Sequence, residues 1–501
     1  MFVETVAEFK YESVVTQLYR LKSWLAEAAQ SGVPEHKVER HIFDESLRMG
    51  AKLLQEFFDK VGPGDQGPTI TLENGETVDR WEQVQNRPLV TIFGQFTIPR
   101  FVYGTRPGQK IELVPTDQRL QLPEGDRSYL LQDWNQMLCV EDAFGQAGTT
   151  MRTIFNLKQS VDTLEHGNQQ MAEAAPAFRE SQPAPDPKQE KELLVDTVDN
   201  KGIPMIRPVK SAPVGAHRKK GEKANKKQMA TVGCVYSVDR HVRTAEELVA
   251  ALFRDPKQTR NEPPKACQKR YWAELSREVA GEFVRAQDAV FKHMRDDVKQ
   301  RRRPSQTLIH LSDGQNSLAD DRKKYLPRDK KTVDILDLLH VSPRLWEAAH
   351  LFHREGSDQA TAFVRERMLL VLKGKAKAVI EGLRQKKAEF GLAGTKAMRL
   401  TKLCNFLENN LRRMRYHKYL REGYPIATGV IEGACRHVIK DRMERAGMRW
   451  KVPGAEAMLE LRTIRTNGDW ETFQEYRVDH ENKRLYPHIA LNNKFLTAAA
   501  A

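Results

Sequence analysis

Apolar residues recur at helical spacing through VVTQLYRLKSWLAEA and ESLRMGAKLLQEFFDKV, which predicts two helices between residues 4 and 60, joined at Gly32-Val33-Pro34. The texture then changes. PTITLENGETV, PLVTIFGQFTIPRFVYG and QKIELVP alternate apolar with polar positions, and Asn74-Gly75 is a hairpin signal, so residues 68–122 read as short strands. From Ser128 to about Ala174 the helical period returns in three pieces, with Asn156 to Gln159 as the break before the last. Ser160 is placed to cap that last helix, and Gln159, Thr163, His166, Gln169 and Gln170 fall on its polar side. The spacing fits a helix-turn-helix that offers those side chains to base edges, and equally a plain three-helix unit with a solvated face.

Residues 175–190, APAFRESQPAPDPKQE, are rich in proline and charge and mark a linker. Beyond it KELLVDTVDNKGIPMIRPV reads as a strand, a tight turn at Asp199-Asn200-Lys201-Gly202 and a second strand, with QMATVGCVYSVDR as a third. Between them GAHRKKGEKANKK is too polar and basic to pack, so Arg218, Lys219 and Lys220 suit phosphate contact, or simply solubility. Helical patterns follow in TAEELVAALFRD and from about Lys265 to Gln300. TLIHLSDGQN is then a short apolar strand that stops at Asp313-Gly314, and VDILDLLH a second at 333–340. From Arg344 to about Arg421 the pattern is helical almost throughout.

Three strands, a helix, then a strand whose end carries an acid is the order of a ribonuclease-H-like fold, in which strand ends bring distant carboxylates together. The expected fold class is therefore multidomain α+β. It comprises an N-terminal helical region (1–67), a small β segment (68–127), a helix-turn-helix DNA-binding region (128–174) and a linker (175–190). The first part of a ribonuclease-H-like core (191–342) is followed by an all-helical stretch (343–421). The second part of the core (422–470) and a C-terminal tail (471–501) complete it.

Composition narrows the partners. The 501 residues carry 81 Lys plus Arg against 67 Asp plus Glu, a formal charge of +14, which favours an acidic partner such as nucleic acid. The five cysteines are scattered and odd in number, so neither a disulfide framework nor a cysteine zinc site is expected, and a reducing cytoplasm fits. No stretch approaches the ~18 consecutive apolar residues of a membrane span, and the first residues lack signal-peptide order.

In GVIEGACRHVIKDRMERAGMRW, residues 429–450, Val430, Ala434 and Val438 with Ile431, Cys435 and Ile439 make one apolar stripe, while Glu432, Arg436 and Lys440 lie on another face. Two readings fit the lone acid. It is a first-turn carboxylate paired with Arg436 and favoured by the helix dipole, or it is a metal ligand flanked by cations that follow a DNA backbone. The second reading needs partner acids. Asp and Glu oxygens suit Mg²⁺, and a pair of such ions drives phosphodiester cleavage and transfer.

VDNKGIPM, LIHLSDG, ILDLLHVSPRLWEAAHLF and the Glu432 block together resemble the ISKra-type transposases of bacterial insertion sequences, distant relatives of the Mutator-like group. The match runs from about Leu193 to Leu461 with the blocks in the family's order. The resemblance implies a DDE transposase, its ribonuclease-H-like core interrupted by an all-α insertion (343–421), that binds terminal inverted repeats in double-stranded DNA, cuts there and joins 3′ ends to target DNA with Mg²⁺, or Mn²⁺ in its place. It assigns the metal-holding catalytic acids to Asp199, Asp313 and Glu432, with Asp196 as the rival first acid, and implies an assembly at least dimeric on bacterial, nucleoid-associated DNA. Arg436, Lys440, Arg442, Arg445 and Arg449 would neutralise phosphates near the cut. Asp337 and His340 match an auxiliary Asp-x-x-His pair, open to DNA handling or to structural capping. Trp346 and Trp450 fit base stacking or the core. The chain departs from the family at Asn200, where glycine is usual, and in lacking a Cys-x-x-Cys pair over 101–111, which puts any zinc there in doubt. A DNA-binding protein without catalysis and a structure-specific nuclease on the same core remain as alternatives.

Overall fold

The computed structural model describes residues 13–72, 75–105, 111–206, 227–255, 262–279, 281–427 and 429–486. Arg218, Lys219 and Lys220 lie outside the described residues. The protein is a multidomain α+β chain that divides into two units, Met1–Ala174 with Glu471–Ala501, and Ala175–Trp470. Among the described residues no helix is long and apolar enough to cross a membrane.

In the first unit, α1 (Val14–Ser31) begins where the Ser13 hydroxyl accepts the Thr16 N–H and ends at Gly32, in the left-handed region. α2 (Glu35–Val61) follows, and Gln17 donates to Glu45 across the pair at 2.7 Å. β1 (Thr69–Thr71), β2 (Thr77–Arg80) and β5 (Tyr103–Gly104) form a small sheet, and β3 (Gln85–Thr91) with β4 (Gly94–Arg100) a separate hairpin. Phe58 of α2 packs on Leu89, Phe96 and Ile98 of that hairpin. A short helix, α3 (Pro115–Leu120), stands inside the stretch read as strands. Proline at its start suits a first turn, and its Asp117 ties Arg87 and Arg100 together. Three helices follow, α4 (Tyr129–Glu141), α5 (Phe144–Phe155) and α6 (Val161–Ala172). Ser128 and Ser160 cap the first and last, and left-handed Asn156 ends the middle one.

The second unit corrects the expected linker. Residues 175–190 begin with α7 (Ala175–Ser181), whose Phe178 is buried, so half of the segment packs instead of bridging. β6 (Leu193–Pro204) is also a correction: it runs straight through the expected turn at Asp199–Gly202. Every residue of it pairs with β7 (Lys227–Val238), and Thr231 donates to the Asn200 side chain at 2.8 Å, so ladder bonds outweigh the local turn preference of Asn and Gly. α8 (Ala245–Leu252) is opened by a Thr244–Glu247 capping box. The pattern read as helix from Lys265 is instead β8 (Cys267–Leu275), then a hairpin of β9 (Arg277–Val279) and β10 (Glu282–Val284). Only α9 (Ala286–Arg301) is helical there. The third antiparallel strand is thus β8, and the two strands expected across Asp199 are one.

β11 (Thr307–Ser312), α10 (Asn316–Tyr325) and β12 (Thr332–Leu336) complete a five-stranded mixed sheet of order β12-β11-β6-β7-β8. β6, β7 and β8 are antiparallel, while β11 lies parallel to β6 and β12 parallel to β11. One face packs Leu194, Val198 and Leu308 against Val290, Phe291, Met294 and Val298 of α9. Each such fully buried side chain contributes roughly 1.5–3 kcal/mol. Arg301, at the end of α9, is enclosed and anchored by Glu190 at 2.7 Å, Asp297 at 2.8 Å and the Gln268 carbonyl at 2.7 Å.

After β12 the chain is helical: α11 (Leu338–Phe352), α12 (Asp358–Leu372), α13 (Ala376–Glu389), α14 (Gly394–Asn410) and α15 (Tyr416–Arg421). α16 (Gly429–Ala434) widens into a π-helical stretch, Cys435–Lys440, before α17 (Asp441–Met443) and α18 (Val452–Asn467). The segment 471–501 is not wholly a tail. α19 (Trp470–Leu485) belongs from Glu471 onward to the first unit, where buried Arg477 donates to Gln132 at 2.8 Å and Tyr486 to the Leu122 carbonyl at 2.6 Å.

Candidate active site

Strand register sets the acids in a row. β11 pairs with β6 as Leu311 to Thr197, and with β12 as Ser312 to Leu336. Continuing those ladders aligns Asp313 with Asp199 on one side and with Asp337 on the other, and the Asp337 N–H donates to the Ser312 carbonyl at 2.7 Å. Side chains at paired positions of a parallel ladder share a face, so three carboxylates from distant parts of the sequence head one sheet face. It is the face opposite α9.

Alternation also separates the rival first acids. Asp196, three places before Asp199, points to the α9 side and is fully enclosed, accepting from His310 Nδ1 and, at 2.9 Å, from Arg322 Nε. Burial pushes its carboxyl up, but the His310 and Arg322 charges outweigh that and hold it below the usual range. Asp196 is committed to tying β6, β11 and α10 together. Asp199 instead meets Cys435, whose Sγ lies 3.5 Å from its Oδ2.

Glu432 reaches the same face from α16. Its carboxyl is raised first by desolvation, then by the negative charges of Asp337 and Asp199, with His340 acting in the opposite direction. Glu432, Arg436 and Lys440 are all exposed, while Ile431, Ala434, Cys435, Val438 and Ile439 are buried. The π turn is held by Arg462 of α18, which donates to the carbonyls of His437 and, at 2.8 Å, Val438. Such turns leave carbonyls without their helical donors, and a buried guanidinium supplies replacements. The end of the segment is pinned too: Trp450 bridges to Met205, its N–H donating to the Pro204 carbonyl at 3.0 Å.

Two of the expected phosphate and base contacts are therefore placed elsewhere. Arg442 is fully buried, its guanidinium 5.0 Å above the Trp450 ring, because the segment turns back onto the end of β6 and encloses it. Trp450 is itself core, donating through Nε1 to the Met443 carbonyl. Arg436, Lys440, Arg445 and Arg449 remain exposed. Asp337 is buried and caps α11, accepting the Leu339 N–H at 2.7 Å, and His340 lies one turn on, half-buried. Trp346 is half-buried, with its ring 6.3 Å from Phe253.

Asp313 sits where the chain leaves the sheet. Its carboxylate accepts the Gln315 N–H at 2.8 Å, and Gly314 turns with φ 91°. Asp199 accepts the Asn200 N–H at 2.7 Å. No three His, Cys, Asp or Glu side chains among the described residues are gathered closely enough to hold a metal ion. The donor chemistry nonetheless fits a hard divalent cation. The carboxylates supply oxygen ligands, and such a cation would offset the negative charges of Asp337 and Asp199 that, after desolvation, raise Glu432. Asp199, Asp313 and Glu432 would hold it, with Asp337 beside them.

Three neighbours of this site escape a reading of the sequence alone. Cys435 shares a helical turn with Glu432 and is legible as a neighbour only from that spacing. Asp337 as a member of the row depends on strand register. Arg413, whose Nη1 is 3.3 Å from Ser312 Oγ, has no local signal among the arginines of LRRMR. Compared with protein-family models and with curated proteins, the chain matches none.

Proposed function

We propose that the protein is a DDE-type DNA transposase of an insertion sequence, binding terminal inverted repeats and carrying out metal-dependent strand cleavage and 3′-end transfer. The observation that carries this reading is the gathering of acids at the strand ends: Asp199 on β6, Asp313 directly after β11 and Asp337 directly after β12, with Glu432 feeling the negative charges of Asp337 and Asp199. The strand order, with an antiparallel trio flanked by two parallel strands, supports a ribonuclease-H-like core. The helices between β12 and α16 then correspond to an all-α insertion. α4 to α6, with His166 and Gln170 exposed on the last, support a helix-turn-helix contacting DNA.

Mg²⁺ bound by these acids would activate the attacking oxygen and stabilise the leaving one. The chain's own part is placement. Asp196, His310 and Arg322 lock β6 to β11, and the Arg462-braced π turn sets Glu432 over the strand ends. Arg436, Lys440, Arg445 and Arg449 give the Glu432 segment a positive surface for the phosphate backbone. Handling two DNA ends together calls for at least a dimer.

The test is strand cleavage and strand transfer on labelled DNA carrying the element's terminal repeats, with Mg²⁺ or Mn²⁺, for the unaltered chain, Asp199→Asn and Glu432→Gln. Joined products that disappear in both variants while DNA binding persists are expected. Binding without any metal-dependent product from the unaltered chain would leave a DNA-binding protein in place of an enzyme, and cleavage without joining would leave a nuclease.

A further inference from the structure

Arg413 ends a 3₁₀ turn, Leu411–Arg413, between α14 and α15. That turn is fastened to the sheet. Tyr416 donates to the Leu336 carbonyl at 2.8 Å, Tyr419 to the Asp334 carbonyl at 3.1 Å, and Met414 is buried. Both carbonyls belong to β12, so the helical region lays a short segment along the edge strand and carries Arg413 to the end of β11. There its Nη1 is 3.3 Å from the hydroxyl of Ser312, the residue before Asp313.

The guanidinium is only partly used. Burial disfavours its charge, while Asp334, Asp313 and Asp320 support it from a distance and Arg322 opposes it. Among the described residues no carboxylate lies within the 4.0 Å of an ion pair with it, and the Ser312 hydroxyl is its one hydrogen-bond partner. Arg301 and Arg322, also close to this sheet, are spent on Glu190 and Asp297, and on Asp196. A guanidinium offers five N–H donors in a planar fork that matches two oxygens of a phosphate. Holding one half-buried without a counter-ion costs free energy that an arriving anion would return. Beside a row of acids, an incoming phosphodiester also needs a fixed positive charge to offset their repulsion.

We propose that Arg413 binds a DNA phosphate at the acid row, donating to its non-bridging oxygens and so joining the helical region to the site. This rests on the transposase reading for the identity of the substrate. The test compares the full chain with Arg413→Ala and Arg413→Lys in binding a short labelled duplex over a range of salt, and in Mg²⁺-dependent cleavage. Removing one phosphate contact lowers the slope of log Kobs against log salt by about 0.9. Arg413→Ala is expected to show that drop, and Arg413→Lys, which keeps the charge, to retain the slope. Cleavage is expected to fall about 10²-fold in kcat in Arg413→Ala. Arg413→Lys should recover only part of it, because an ammonium cannot form the bidentate fork.

An unchanged salt slope in a folded Arg413→Ala protein, judged by circular dichroism and melting, overturns the inference whatever cleavage does. Should that variant not fold, Arg413→Gln, which removes the charge and keeps a donor for Ser312, takes its place with the same expected drop and the same overturning result. A lowered slope with no metal-dependent product from any form would overturn the transposase reading and leave the phosphate contact standing.

Discussion

At the scale of single residues, the turn after Asp313 depends on having no side chain at Gly314. Its φ is 91°, and a Cβ there would stand 2.9 Å from Leu336 Cδ1 and 2.9 Å from Phe406 Cε2. Gly314→Ala should therefore destabilise the second unit by about 1–3 kcal/mol, read as a lower urea midpoint, because backbone strain and the clash act together. Glu274 on β8 sets an acid limit. Burial opposes its ionisation, but His293, whose Nε2 lies 3.7 Å away, and the charges of Arg179 and Arg277 prevail and hold the carboxyl down at about 2 against 4.5 for the free group. The native state thus binds fewer protons than the unfolded chain between those values. The stabilisation is fully present above about 4.5 and is lost as pH falls toward about 2, roughly 3 kcal/mol in all. Glu274→Gln should lower stability at neutral pH and flatten its decline through that window, measured by denaturant titration at several pH values.

At the scale of elements, the Glu432 segment shows how a regular period is bent by its neighbours. A straight helix would have put Glu432, Arg436 and Lys440 in line and Arg442 on the stripe of Ala434 and Val438; the first three are exposed and Arg442 is buried, while the turn at Cys435–Lys440 is widened to a π helix. Replacing the brace tests this account. Arg462→Met keeps bulk but removes donors to the His437 and Val438 carbonyls, so a loss of about 1–3 kcal/mol is expected. The proposed cleavage should fall further than the change in stability explains, through displacement of Glu432. A variant as stable and as active as the unaltered chain would show that the π turn stands without Arg462.

At the scale of the whole molecule, the chain returns at its end to the unit in which it began. Phe473 is fully buried, Arg477 lies 5.3 Å over the Tyr129 ring, and Asn482 donates to Gln121 at 3.1 Å. α19 lines, with Tyr129, Leu130 and Asp133, a cavity of about 850 Å³. A chain ending at Trp470 should leave α4 exposed, cost about 3–5 kcal/mol through the lost burial of Phe473 alone, and open residues 115–174 to limited proteolysis while 175–470 stays protected. Equal protection of both parts would show that α19 is dispensable.

Most of the long helices, the short strands of the N-terminal part, the cap at Ser160 and the lone acid Glu432 were legible in the sequence, because periodicity, capping and side-chain chemistry are local properties. β8 was not, since Gln268, Lys269, Arg270, Ala273 and Glu274 suit a helix as well as a strand, and only pairing with β7 decides between them. The same ladder carried β6 through Asn200 and Gly202, where local preference predicts a turn. The division of labour between Asp196 and Asp199, the entry of Asp337 into the row and the arrival of Arg413 beside Ser312 each depend on strand register or on a distant segment docking on an edge. Such placements are set by the ladder and by packing between parts of the chain far apart in sequence, so tertiary structure alone decided them.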